Sequence, residues 1–158
     1  KNKAFLFNKT KSSNSSKLLR NQKKRYKFYR SAWKNIPKNA VLKNITNLFD
    51  GLNSPPLCVD IEIASICDLA CPFCYRQYTA TPDKIMNSQL VYKIIDQCSE
   101  INVPSIKLNW RGEPLLHPHI DKFIKYAKEK GILEVMINTN ATNLTPSLSR
   151  KIIEIKPK

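Results

Sequence analysis

Between Leu57 and Glu154 the chain repeats one pattern three times: a short apolar run, a polar loop of unusual composition, and a stretch with helical spacing. The first run, Leu57-Cys58-Val59-Asp60-Ile61-Glu62-Ile63, alternates with period two. Val59, Ile61 and Ile63 share one face of a strand and Asp60 and Glu62 the other. Two acids on that second face suit a polar cavity better than a dry core. Asn87-Ser88 then caps a helix over 88–101, with Leu90, Ile94, Ile95, Cys98 and Ile101 as its buried stripe. The second strand, 105–110, leads to a helix over 119–130 that buries Ile120, Phe123, Ile124 and Ala127 and stops at Gly131. The third strand, 133–138, leads to a helix that begins at Thr145-Pro146, with proline in its first turn.

This order predicts an α/β fold with parallel strands and right-handed crossovers. In such folds the C-terminal strand ends share one rim, and that rim carries the active site. Each predicted strand here ends in a chemically distinctive segment. The first is Cys67-Asp68-Leu69-Ala70-Cys71-Pro72-Phe73-Cys74, the second Arg111-Gly112-Glu113-Pro114, the third Asn138-Thr139-Asn140-Ala141-Thr142.

The region before the first strand differs in charge. Fourteen Lys or Arg and no acid lie between Lys1 and Lys43, out of 27 basic and 12 acidic residues in the 158-residue chain. The remaining thirteen basic and twelve acidic residues nearly cancel, so the formal net charge of +15 belongs to the lead-in. Residues 1–25, rich in Lys, Asn and Ser, read as a disordered basic tail. Residues 26–54 read as a helical lead-in of one or two short helices around Pro37, closed by a Gly/Asn/Ser/Pro break at 51–56. Arg25-Tyr26-Lys27-Phe28-Tyr29-Arg30 interleaves cations with aromatics, a pattern suited to RNA or an anionic surface. The reading preferred from sequence is a solvated lead-in whose aromatics pack on the domain. No apolar run approaches the length of a membrane span and nothing resembles a signal peptide. The five cysteines therefore read as reduced cytoplasmic thiols open to a metal.

Three of those cysteines, Cys67, Cys71 and Cys74, fall within eight residues, so their soft thiolates can converge on one inorganic centre. Structural zinc sites and electron-transfer clusters usually take four protein ligands, so a three-ligand centre keeps a position open. A zinc knot with Cys58, Cys98, His117 or His119 as fourth ligand is one alternative, and a disulfide another. Cys58, in a strand, and Cys98, on a helical stripe, read as small core residues.

The combination of Cys67-x3-Cys71-x2-Cys74, Gly112-Glu113-Pro114 and Thr139-Asn140 at three successive strand ends resembles the radical SAM superfamily. Asp60-Ile61-Glu62 leading to the cysteine segment is most similar to members with an extra cysteine-rich (SPASM or Twitch) region. The resemblance covers about 57–153 and implies the N-terminal part of a partial (β/α)6 TIM-like barrel. It divides the chain into 1–25, 26–54 and a core over 55–158 that is incomplete at its C-terminus and expected to be inactive alone.

The resemblance implies a 4Fe–4S cluster held by Cys67, Cys71 and Cys74, with the fourth iron chelated by S-adenosylmethionine. It places Gly112, Glu113 and Pro114 at the methionine amino group and Phe73 beside the adenine, with Asn138 and Asn140 lining the cavity. The alternatives from the residues alone are, for Glu113, a carboxylate serving a helix N-terminus, for Phe73, loop packing, and for the asparagines, turn formation. The implied reaction is reductive cleavage to a 5′-deoxyadenosyl radical that abstracts a substrate hydrogen, from a peptide or protein. An electron donor such as flavodoxin or ferredoxin is the implied partner. Two departures stand out: Arg111 replaces a glycine of the family pattern Gly-Gly-Glu-Pro, and Ala141 replaces the glycine of Thr-Asn-Gly-Thr. An arginine at 111 could reshape the rim or reach an acidic substrate group. The competing classes are a zinc-stabilised basic nucleic-acid-binding module and an inactive scaffold relative. The former has no use for Gly112-Glu113-Pro114 at a strand end, so nucleic acid is not an expected partner.

Overall fold

The structure, a computed structural model, describes the backbone over 13–42 and 55–155 and the side chains over 20–38 and 55–155. The chain forms two compact units, Lys1–Asn44 and Ile45–Lys158.

In the first unit a single helix, α1, runs over Ser13–Leu42 and passes through Pro37. This corrects the disordered tail for residues 13–25, and the short helices around Pro37. The reason is local. From Leu18 to Arg25 nearly every residue is a straight-chain Leu, Arg, Gln or Lys, which loses little rotamer freedom in a helix. The expectations for residues 1–12 and 43–54 lie outside the described residues.

The second unit is built on a three-stranded parallel sheet in the order β1-β2-β3, with β1 at Val59–Asp60, β2 at Ser105–Lys107 and β3 at Glu134–Met136. Val59 pairs with Ile106, and Ile106 with Val135. Two further bonds carry the pairing past the strand ends, from Ile61 N to Lys107 O at 2.8 Å and from Leu108 N to Met136 O at 2.9 Å. The strands are shorter than the apolar runs that predict them, and the expected faces hold: Ile61 and Ile63 are buried, whereas Asp60 is exposed.

Helices α2 (Ser88–Glu100), α3 (Ile120–Glu129) and α4 (Pro146–Glu154) follow the strands. The sequence signals for their ends hold. Asn87 Oδ1 accepts from Gln89 N at 2.8 Å, Thr145 Oγ1 accepts from Leu148 N at 3.2 Å with Pro146 in the first turn, and Gly131 adopts φ +87° past the end of α3. The stripe of α2 needs a correction. Val91, Ile95 and Cys98 are buried, at spacings of four and three, while Leu90 and Ile101 are 47% and 55% exposed. These three join Ile63, Ile106, Leu108, Ile120, Phe123 and Ala127 in one core. Fully burying a ring such as Phe123 stabilises by about 2–3 kcal/mol. Cys98 is thus a core residue, as its position on the stripe suggests. Because the three strands are parallel, the loops after β1, β2 and β3 leave the same edge of the sheet.

Candidate functional site

The loop after β1 carries the cysteines. Its base is pinned where Ser65 meets the returning chain: Ser65 N donates to Lys84 O at 2.9 Å, Lys84 N donates to Ser65 Oγ at 2.9 Å, and Ser65 Oγ donates to Pro82 O at 2.7 Å. Arg76 Nε donates to Ser65 O at 2.9 Å, and the same guanidinium pairs with Asp83. Within the loop Cys74 N donates to Cys71 O at 3.0 Å, a turn that places these two residues on one side. Cys67, Cys71 and Cys74 are all half-buried free thiols. Phe73 is 88% exposed, so the loop-packing alternative for its ring is not what the structure shows.

The loop after β2 is built differently. Gly112 sits at φ +65°, and a Cβ there would stand 2.3 Å from Ala64 O and 2.7 Å from Ile66 O. Only glycine permits this backbone to lie against the segment that enters the cysteine loop. The contact is sealed by Glu113 N donating to Ile66 O at 2.8 Å.

Glu113 is only 2% exposed. Its Oε1 accepts from Leu115 N at 2.8 Å, capping the short 3-10 turn Pro114–Leu116, and from Thr139 Oγ1 at 2.6 Å. Its Oε2 accepts from Asn140 N at 2.8 Å. The capping role considered from sequence is therefore real, and a second role is added: the carboxylate clamps the loop after β3 to the loop after β2. Among the described residues no buried side-chain nitrogen or oxygen lacks a partner.

The loop after β3 closes the circle. Asn140 Nδ2 donates to Asp68 Oδ1 at 2.8 Å, Asn143 Nδ2 donates to Asp68 Oδ2 at 2.9 Å, and Thr142 Oγ1 donates to the same oxygen. These bonds, Thr142's foremost, hold the Asp68 carboxyl below its ordinary range. Asn140 Nδ2 also lies 4.0 Å from Cys67 Sγ. Asn140 Oδ1 accepts from Thr142 N at 3.0 Å, so this asparagine does form a turn while its amide reaches the cysteine loop. Asn138 and Asn140 are not on a strand face, because β3 ends at Met136; both are exposed loop residues. Asn138 N is held by Asn109 Oδ1 at 2.8 Å, with Asn109 itself buried.

Arg111 does not extend outward toward a substrate. Its Nε and Nη2 donate to Glu62 Oε2 at 2.8 Å and Oε1 at 2.9 Å, and it also bonds Thr81. This two-pronged pair raises the guanidinium pKa further and brings the acid face of β1 to the start of the second loop. His117 is buried too. Its Nε2 bonds Met86 O at 3.0 Å and its Nδ1 accepts from His119 N at 3.1 Å, while His119 Nδ1 meets Ser88 Oγ at 2.9 Å. Both imidazoles serve the scaffold, which corrects their candidacy as a fourth zinc ligand. Cys98, in the core, is likewise removed from that role.

Sequence reasoning placed Asp68, Arg111, Thr139 and Thr142 in the strand-end segments but gave Asp68, Thr139 and Thr142 no part in the site, and it missed Asn143 and the pairing of Glu62 with Arg111. The signal available was a lone acid inside a cysteine loop and five amide or hydroxyl side chains among the six residues 138–143 of a facing loop.

Among the described residues no three His, Cys, Asp or Glu side chains are placed to hold a single metal ion. A cuboidal cluster asks for something else: each thiolate binds its own iron, so the sulfurs surround the centre at a distance from one another. Three half-buried soft thiols in one loop, with no fourth cysteine beside them, suit that donor requirement.

A parallel α/β sheet with a three-cysteine loop and a buried Gly-Glu-Pro turn at one edge defines a class of cluster-bearing α/β proteins. The profile of the Radical SAM superfamily matches residues 61–157, and the chain belongs to that superfamily. Its cofactors are accordingly a 4Fe–4S cluster and S-adenosylmethionine, and its fold is the N-terminal part of the superfamily's partial barrel.

The chain is similar to the tungsten-containing aldehyde ferredoxin oxidoreductase cofactor-modifying protein of Pyrococcus furiosus, with 30% identity over 60% of this chain and 27% of that protein. It is similar to the GTP 3′,8-cyclase of Chlorobaculum tepidum, with 33% identity over 57% of this chain and 27% of that one. Among solved structures it resembles Streptococcus suis SuiB at 27% identity and TM-score 0.57. With S-adenosylmethionine bound, the match covers 66% of this chain and 24% of SuiB; with precursor peptide SuiA bound, 84% and 28%. The chain thus spans about a quarter of the length of these relatives. Among the described residues no helix is long and apolar enough to cross a membrane.

Proposed function

We propose that residues 55–155 supply the cluster-binding and S-adenosylmethionine-binding portion of a radical enzyme that acts on a peptide or protein in the cytoplasm. The observation that carries this reading is the closed ring of contacts among three strand-end loops. Gly112 and Glu113 press on the entry to the cysteine loop, Glu113 holds Thr139 and Asn140, and Asn140 reaches back to Asp68 beside Cys67. Such a ring fixes the directions of three segments that must share one ligand, and positioning of this kind is what a protein contributes when a cofactor carries the chemistry.

In this proposal Cys67, Cys71 and Cys74 hold three irons. When bound, the reduced cluster and S-adenosylmethionine supply a 5′-deoxyadenosyl radical able to abstract a substrate hydrogen. Of this turn, Gly112–Pro114, the Gly112 carbonyl would meet the methionine amino group, because Glu113 O and Pro114 O already accept from Leu116 N and His117 N and the Glu113 carboxylate already accepts three bonds. Phe73, largely exposed beside Cys74, offers an aromatic face to the adenine. Asn138 and Asn140 edge the cavity. A flavodoxin- or ferredoxin-type donor supplies the electron. The peptide assignment draws on SuiB, which was solved with its precursor peptide.

Anaerobic reconstitution with iron, sulfide and reductant tests the proposal. A brown, oxygen-sensitive protein should form, and Cys67→Ala, Cys71→Ala or Cys74→Ala should each abolish its iron and sulfide content; sustained formation of 5′-deoxyadenosine by these residues alone would overturn the expectation that they are inactive by themselves. A colourless protein carrying one zinc would instead support the structural-metal alternative.

A further inference from the structure

The helical state of residues 20–34 does something that a disordered tail could not: it sorts six of the seven cations onto one side, Arg25 alone lying opposite. At about 100° of rotation per residue, Arg20, Lys23, Lys24, Lys27, Arg30 and Lys34 fall within roughly 120° of arc around α1. All six are exposed, and none forms an ion pair with a described residue. At a rise of about 1.5 Å per residue they make a stripe about 21 Å long with about one positive charge every 4 Å. That density is of the same order as the phosphates of one nucleic-acid strand, about one per 3.4 Å of duplex axis.

The aromatics are not scattered either. Phe28, 77% exposed, lies at one border of the stripe, and Tyr26, 41% exposed, at the other. On the opposite side Tyr29 is buried, with the rings of Tyr26 and Trp33 at 5.9 and 6.4 Å from it.

We propose that this face of α1 binds single-stranded nucleic acid, its six cations tracking the phosphates and Phe28 stacking on a base. The placement of the most exposed ring decides between partners. A helix that lies in a membrane surface carries its insertable apolar residues opposite the cations. Here the apolar residues opposite the cations are buried or only half-exposed, Tyr29 at 3%, Trp33 at 43% and Ile36 at 51%, while Phe28, the most exposed ring of the helix, flanks the cations, where an unstacked base would sit. A duplex would use the cations and leave Phe28 without a role. An acidic protein would not need a ring at the border. The inference is independent of the radical reading of residues 55–155.

The test uses the full 158-residue chain and a labelled mixed-sequence 15-nucleotide RNA, its DNA counterpart, the matching duplex, polyglutamate and phosphatidylserine vesicles. The single strands should bind best. The logarithm of their affinity should fall against the logarithm of salt with a slope of about −4, for six contacts at about −0.7 each. Replacing Lys23, Lys27 and Lys34 by Gln, which keeps helix propensity, should roughly halve that slope and leave the helical circular-dichroism signal unchanged. Phe28→Ala should weaken single-strand binding by roughly 5- to 100-fold without altering duplex binding. Tighter binding of vesicles, duplex or polyglutamate than of the single strands overturns the proposal. So does a salt slope that the triple variant leaves untouched, or a Phe28→Ala effect equal on strand and duplex.

Discussion

The loop after β2 and the loop after β1 meet at Gly112 and Ile66, yet they are made on opposite plans. From Arg111 to His117 nearly every polar side chain is taken up by the chain itself: Arg111 by Glu62, Glu113 by Leu115, Thr139 and Asn140, and His117 by Met86 and His119. Glu113, Pro114, Leu115 and His117 are buried. The cysteine loop is fixed at its base and at Asp68, while the thiols of Cys71 and Cys74 form no hydrogen bond with a described side chain. The first loop is finished without a ligand. The second leaves its donor atoms uncommitted. A site with one rigid wall and one wall awaiting its ligand orders less on binding than a site with two loose walls, and its affinity is correspondingly less taxed.

The contrast predicts that substitutions in the rigid wall cost global stability. Gly112→Ala has the largest expected effect. The added carbon meets two backbone oxygens that cannot move aside, and the positive φ adds about 1–2 kcal/mol of strain. A loss of at least about 3 kcal/mol in urea unfolding is expected; near-native stability would mean that the loops do not press together as described. Glu113→Gln comes next. It puts an NH2 donor where three donors already converge, and about 1–3 kcal/mol should be lost. Unchanged stability would show that the carboxylate does not clamp the two loops together.

His117 gives the same wall a pH dependence. Burial first, and then the charge of His119, push its pKa below the ordinary histidine value, against the opposing hydrogen bond to Met86 O. A depressed pKa in the folded state means that the unfolded chain binds the proton more readily. The contribution is therefore complete above about pH 6.5 and fades as pH falls below it. Urea midpoints at pH 7.5 and 5.5 should differ in that direction, and His117→Gln should reduce the difference.

What could be read from the sequence divides along similar lines. Element order, the caps at Asn87 and Thr145 and the gathering of three motifs on one edge were legible because period-two and helical spacings are local signals. Partnerships were not. Glu62 and Arg111 are 49 residues apart, and Asp68 is 72 to 75 residues from its three donors, so no spacing rule connects them. An arginine in place of a glycine looked available to a substrate only because its acid was out of view. In α2 the stripe was turned too far, taking Leu90 and Ile101 and leaving out Val91, because Leu90 and Ile101 share the border beside Ile94 and only the packed core sets where the buried side ends. In α1, serines and a proline read as breaks, while straight-chain residues sustain the helix through them.

The loop after β3 stands between the two plans, and two smaller effects probe it. Ala141 holds φ +62°, the left-handed region that the family pattern fills with glycine. Ala141→Gly should relieve the strain and raise stability by up to about 1 kcal/mol, since the entropy a glycine loses on folding offsets part of the relief. A loss would show that Ala141 makes contacts worth more than the strain.

The smallest global effect is expected at Asp68, and it separates the two walls most sharply. Asp68 is exposed, and it accepts from Asn140, Thr142 and Asn143 without supporting the core. Asp68→Ala should leave the unfolding midpoint close to that of the native chain. What should change is local: the cysteine loop loses the three bonds that tie Asp68 to the loop after β3, and Asn140 loses the carboxylate that holds its amide near Cys67 Sγ. Cys67 in the cluster-free protein should then react faster with an alkylating reagent, while buried Cys98, on the α2 stripe, reacts at its former rate and serves as the internal reference. Asp68→Asn, which keeps one acceptor oxygen, should fall between the two. Equal acceleration at Cys67 and Cys98 would instead report general loosening of the unit, and the carboxylate would then be part of the rigid wall after all.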